Sequence, residues 1–349
     1  MRKLLLTLAL ALLCLLCAGL APAADKEMNL FIWSEYMPED FVPNFEKLSG
    51  IKVRVDYYES MEEMIAKLQA GGVSQYDVIV PSDYVMPTLI NLDLLAPLDQ
   101  AKIPNLKNLG KTFINPIYDP GNKYSVAYQW GTLGMMYKKS VVPGNPPSWG
   151  VMFDKTKQVG PFVLIDSVRE MLGSALCYMG KDVNTTDPKD LKALADMMLE
   201  VKKSPYFQGF EVGTGARSKV VGGAAVAAIV YNGDGLRAVA EDPSTNFANP
   251  AEGAVMWVDN LCVPKKAPNP GAAMQFINYV LDAKAGAHLS NWTQYPTPNA
   301  AAMEFITPED LTNPAIYPPA EYMSKLHLLR DLGKDNRIYD EIWTMIKTR

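Results

Sequence analysis

The sequence predicts an α/β protein of two lobes, each built on an open, mostly parallel sheet. Two observations carry this reading. Strand-like and helix-like apolar patterns alternate in the order β-α-β-α-β over the first part of the chain, the order that gives parallel sheets covered by helices. The chain is also 349 residues long, more than a single hydrophobic core usually serves.

The N-terminus is set apart from this pattern. Arg2 and Lys3 precede an apolar run from Leu4 to Leu20, and Ala21-Pro22-Ala23 follows with small residues at the spacing a signal peptidase reads. Residues 1–23 therefore form a cleaved secretory signal; the rival, a retained anchor helix, is disfavoured because the run falls short of the roughly 20 residues a bilayer span needs. Cys14 and Cys17 form a C-x-x-C inside this segment and leave with it. A lipid anchor at Cys17 is disfavoured because Leu16 stands where such a signal wants a small residue. Cys177 and Cys262 remain, far apart and in apolar runs. They read as two buried small side chains, with one disulfide as the alternative in an exported protein. The formal charge of −5 becomes more negative once Arg2 and Lys3 are removed. An acidic exported protein is a poor nucleic-acid binder and a fair host for a cation.

The elements follow in order. Met28 to Trp33 is a strand, and Phe41 to Leu48 a helix closed by Ser49-Gly50. Lys52 to Tyr57 alternates polar and apolar, as a strand does. Ser60 and Glu63 have capping-box spacing, with Met61, Met64, Ile65 and Leu68 as the apolar stripe of the helix they open and Gly71-Gly72 at its end. Tyr76 to Val80 is a short buried strand. Asp187-Pro188 starts a helix that runs through Lys203, and Ala224 to Tyr231 and Trp257 to Val263 are further strands.

In open α/β sheets ligands sit beyond the carboxyl ends of strands. Trp33, Glu35 and Tyr36 follow the first strand, Ser82 and Tyr84 the third, Tyr231 and Asp234 the stretch AAIVYNGD, and Trp257 and Asp259 lie in AVMWVDN. Four separate strand ends carrying aromatic rings, three with an acid, describe a cleft lined by ring faces and carboxylates. Such a cleft suits an alkyl-ammonium ligand: rings take the methylenes and attract the cation, and carboxylates hydrogen-bond the ammonium. The bland readings are that Trp33 caps the core, Glu35 is a solvated loop acid, Asp83 caps a helix, and Tyr295 in WTQYPTPN is packing. Asp259, between apolar residues, needs a partner wherever it points.

The stretches IWSEYMPEDF at 32–41, YDVIVPSDYV at 76–85, YSVAYQWGTLGMMYKK at 124–139, LIDSVREML at 164–172, YNGDG at 231–235, WVDNLCVP at 257–264 and YPTPN at 295–299 together resemble the periplasmic polyamine-binding proteins of ABC importers. The resemblance implies a two-lobe periplasmic-binding-protein fold of type II, with the ligand cleft between the lobes. By the family pattern residues 24–132 plus 259–303 form the N-terminal lobe and 133–258 plus 304–349 the C-terminal lobe. It implies ligand contacts at Trp33, Ser34, Glu35, Tyr36, Ser82, Tyr84, Glu170, Tyr231, Asp234, Trp257, Asp259 and Tyr295. It further implies a monomeric periplasmic protein that hands putrescine or spermidine to membrane permease and ATPase subunits, without cofactor or metal. Three departures bear on specificity. Ser167 stands where spermidine receptors carry a second aspartate, Leu329 falls near a polar position of theirs, and Asp234 matches an aspartate of putrescine-preferring members. The competing readings are a receptor for a quaternary amine, a polyamine-sensing protein and an exported enzyme. The last is disfavoured because His288 and His327 lie in no H-E-x-x-H and no G-x-S-x-G occurs.

Overall fold

A computed structural model describes residues 27–211 and 214–349. The signal-peptide reading, with Cys14 and Cys17, lies outside the described residues. Among the described residues eleven strands form one continuous, curled sheet: β1 (Glu27–Trp33), β2 (Lys52–Tyr58), β3 (Val78–Ile79), β4 (Leu95–Ala96), β5 (Ser125–Lys138), β6 (Phe162–Ile165), β7 (Phe207–Glu211), β8 (Ala227–Tyr231), β9 (Thr245–Ala248), β10 (Ala254–Pro264) and β11 (Leu326–Leu328). The main path runs β2-β1-β3-β10-β5-β8-β6-β7. At one end β1 pairs in parallel with β2 and β3, and at the other β6 pairs in parallel with β7 and β8.

Local chemistry explains the elements that frame these pairs. β1 is nearly all apolar because both its sides are covered, whereas the outermost strand β2 alternates half-buried valines with exposed Arg54 and Asp56. The helix Phe41–Ser49 ends at Gly50 with φ 75°, the left-handed turn that a glycine takes without a Cβ clash. Helix Met61–Gln69 opens on Ser60, whose hydroxyl accepts the Glu63 N–H at 3.1 Å. The reciprocal arm reaches one residue further back than a standard box, since the Glu63 carboxylate accepts the Glu59 N–H at 3.0 Å. Asp187 caps Pro188–Lys202, with proline in the first turn, where no N–H is missed.

The centre of the sheet differs from the periodicity reading. β5 is fourteen residues long and, apart from Lys138, wholly buried. Its first half pairs with β10 and its second half with β8 and β9. β10 runs antiparallel beside it, touching β11 near its start and β3 and β4 near its end. These two strands join the parallel group at one end of the sheet to the parallel group at the other. Trp257 and Asp259 therefore sit in the middle of a crossing strand and not at a strand end. They share a face because they are two residues apart. Cys177 and Cys262 are both buried free thiols, so the disulfide alternative falls.

Candidate functional site

A cavity of about 340 Å³ opens where the ends of β1, β3 and β8 meet the middle of β10, and all twelve residues singled out from the sequence line it. Asp259 lies at its floor, 5 % exposed. The loop after β3 is stitched to β10: Ser82 bridges to Asp259, the Asn260 N–H donates to the Pro81 carbonyl at 2.9 Å, and the Val258 N–H donates to Asp83 Oδ1 at 3.2 Å. Asp83 thus anchors a neighbouring strand; it neither caps its own short helix nor reaches the cavity. The stitching aims the Ser82 hydroxyl at Asp259 Oδ1 at 2.6 Å, while the Tyr36 hydroxyl donates to Oδ2 at 2.7 Å. The ladder with β5 shifts register just after Asp259, a bulge of the kind that re-aims a side chain.

Four rings wall this floor. Trp257 meets Tyr36, Tyr231 and Tyr295 at centroid distances of 6.4, 5.9 and 5.0 Å, the last two edge-to-face. The packing depends on two glycines. A Cβ at Gly131, opposite Trp257 in the ladder, would come within 2.5 Å of the indole, and one at Gly233 within 2.6 Å of the Tyr295 ring. Trp33 leans on Tyr58 at 4.8 Å. The indole N–H groups of Trp33 and Trp257 are shielded from solvent and meet no acceptor. Tyr36 is held from behind, its carbonyl accepting the Tyr128 hydroxyl at 2.8 Å. Ser34 donates to Glu59 on the rim.

Glu170, 4 % exposed, comes from the first turn of helix Val168–Tyr178 and accepts the Tyr231 hydroxyl at 2.7 Å. Its neighbour Arg169 faces away, donating to the Arg330 carbonyl, Asn184 and Asn336. Neither Asp259 nor Glu170 has a cationic partner among the described residues. Burial pushes Asp259 up to about 7, against the lowering pull of Ser82 and Tyr36, and pushes Glu170 up to about 6.

The acids Asp234 and Glu35 have company that the sequence reading missed. Arg237, one turn after Asp234 on helix Asn232–Glu241, donates to Asp234 Oδ1 at 2.7 Å and stands 3.8 Å from Glu35. Arg217 lies 3.3 Å from Glu35, 3.7 Å from Asp234 and 3.3 Å from Glu241. The i, i+3 spacing of Asp234 and Arg237 was a legible signal for the first pair; nothing local announced Arg217. Ser167 lines the cavity beside Glu170, whereas Leu329 is buried outside it.

This arrangement, two bare carboxylates under a ring cage between two lobes, is that of a solute trap. The profile of the bacterial extracellular solute-binding proteins matches residues 40–319. The chain belongs to that family. Similar solute-binding proteins include the putrescine/cadaverine-binding protein of Pseudomonas aeruginosa, 34 % identical with all of both chains covered. The spermidine/putrescine-binding periplasmic protein of Escherichia coli is 32 % identical over 95 % of each chain. Among solved structures, PotD, the substrate-binding protein of a spermidine/putrescine ABC transporter of Streptococcus pneumoniae, superposes with a TM-score of 0.80 at 28 % identity. That match covers 93 % of this chain and 99 % of that one. The two-lobe architecture of the periplasmic binding proteins is thus the fold of this chain too.

Proposed function

We propose that this solute-binding protein is exported to the periplasm by its cleaved N-terminal signal, captures putrescine or spermidine between its lobes, and delivers it to the membrane permease and ATPase of an ABC importer. The observation that carries the reading is the pair Asp259 and Glu170: buried carboxylates without a cation, in a cavity walled by rings. A buried acid left bare costs stability, and an alkyl chain carrying ammonium groups relieves that cost while its methylenes cover Trp33, Tyr36, Trp257 and Tyr295. Each ammonium–carboxylate hydrogen bond contributes about 1.5–3 kcal/mol and each cation–ring contact about 0.5–2 kcal/mol. The names of the relatives point to the same ligands.

The twelve lining residues singled out from the sequence are accordingly the proposed ligand contacts, and the protein acts as a monomer that binds without catalysis. We place the lobe boundaries at 132/133, 258/259 and 303/304, so that the first two cuts fall within β5 and β10. The lobes then rotate about those strands as they close. Titration calorimetry of residues 24–349 with putrescine, spermidine and choline tests the proposal. Micromolar or tighter binding of a polyamine, with choline inert, is expected. Binding of choline alone would replace the reading with that of a quaternary-amine receptor.

A further inference from the structure

The cavity's charge is divided unevenly, and the division bears on how many ammonium groups a ligand can carry. Asp259 and Glu170 have only hydroxyl partners. Asp234 and Glu35 share two guanidinium groups, Arg237 at 2.7 and 3.8 Å and Arg217 at 3.7 and 3.3 Å. Both arginines are largely sequestered, with side chains 21 % and 12 % exposed. Arg237 is the one base among the described residues lining the cavity. Its Nε and Nη1 are shielded from solvent and make no hydrogen bond of good geometry, and the Tyr295 hydroxyl lies close to the guanidinium.

We propose that Arg237 is a built-in third cation that makes the site selective for ligands with two ammonium groups. It excludes a third ammonium from the Asp234–Glu35 end. The proposal rests on the polyamine reading above and refines it. An ammonium entering that end would find the Asp234 carboxylate already neutralised and a guanidinium facing it, and like charges at close range in a sequestered site repel strongly. The other acids lining the cavity offer no equal alternative: Asp166 is paired with Lys347 at 2.6 Å. Glu59 is bonded to Ser34 and, like Glu62, exposed to water, which screens its pull.

The test uses calorimetry on residues 24–349 with three ligands: putrescine, spermidine, and spermidine acetylated on its aminopropyl nitrogen. The last keeps the carbon–nitrogen backbone of spermidine, extended by the acetyl group, with one charge fewer. The wild-type protein is expected to bind putrescine about tenfold or more tighter than spermidine, and acetylation to restore roughly that factor. In Arg237→Gln the gap between spermidine and putrescine should close by about tenfold and the acetyl advantage should vanish. Arg237→Lys, which keeps the charge, should retain the preference. Equal or tighter wild-type binding of spermidine, or a putrescine-to-spermidine ratio that Arg237→Gln leaves in place, would overturn the role of Arg237 while leaving the polyamine reading intact. If no ligand of the three binds, the polyamine reading itself fails. If Arg237→Gln lacks a cooperative melting transition, the acetylation comparison in the wild-type protein decides: no gain on acetylation counts against the proposal.

Discussion

At the floor of the cavity Asp259 and Glu170 stand without cations, whereas on the same lining Asp234 and Glu35 bring their own in Arg237 and Arg217. Both groups are built from the same residue types, and three of the four acids are buried. The difference lies in where the compensating charge comes from. Inside a fold a carboxylate is paired because leaving it bare is expensive. Where the fold supplies the pair, the interaction serves the structure, orients the lining and cross-links elements. Where it does not, the missing positive charge is a specification for something from outside.

The contrast can be broken at its strongest point first. Asp259→Asn keeps the shape and the hydroxyl contacts but deletes the charge, and should weaken polyamine binding by about 100-fold or more. The ligand-free protein should melt no lower at pH 8, since the variant removes an uncompensated buried charge; unchanged calorimetric affinity would show that Asp259 does not meet an ammonium. Trp33→Ala should cost about tenfold for every polyamine alike, because a ring face reads methylenes and charge without counting amines. A loss confined to one ligand in parallel titrations would contradict this. Ser167→Asp places a new acid beside Glu170, on the bare side of the cavity, and should move the preference toward spermidine by about fivefold. A constant ratio of dissociation constants would mean that position 167 does not face the third amine. The smallest effect is expected on the compensated side. Glu35 is exposed and already engaged with Arg217 at 3.3 Å, so Glu35→Gln should change affinity by about twofold at most, and a tenfold loss would reassign Glu35 to the bare group.

What the sequence disclosed follows the same physical divide. Local signals survive in one dimension: Ser60 with Glu63, Gly50 after Phe41–Ser49, and Asp187 before Pro188 all marked helix ends that the structure keeps. Rings and acids after short apolar strands put Trp33, Tyr36, Ser82 and Tyr231 together in one cavity. What failed was non-local. β5 escaped the periodicity reading because Gln129, Gly131, Thr132 and Gly134 interrupt its apolar run. Each interruption has a cause outside the strand. Gln129 accepts the Thr293 hydroxyl at 2.6 Å, Gly131 admits Trp257, Thr132 donates to Asn249 at 2.7 Å, and Gly134 leaves room for Phe247. The strand read at Trp257 to Val263 starts three residues late, which put Trp257 and Asp259 near a strand end instead of mid-strand; the Ser82 loop that receives Asp259 is 177 residues away in sequence. Arg217 is 182 residues from Glu35, beyond any local rule.

The bare carboxylates give the account its most direct test. Burial holds Asp259 near 7, against an ordinary 3.8, and Glu170 near 6, against 4.5. Between the ordinary and the raised values the folded protein keeps protons that the unfolded chain has shed. The contribution of these groups to ligand-free stability is therefore full below the ordinary values and is lost as pH rises through about 6 and 7. An ammonium ligand favours the charged carboxylates and must expel those protons. Putrescine binding measured at pH 6.5 by calorimetry in buffers of different ionisation enthalpy should therefore release roughly one proton per ligand, falling toward zero at pH 8. A binding heat that does not depend on the buffer at pH 6.5 would contradict the claim that Asp259 and Glu170 await a cation.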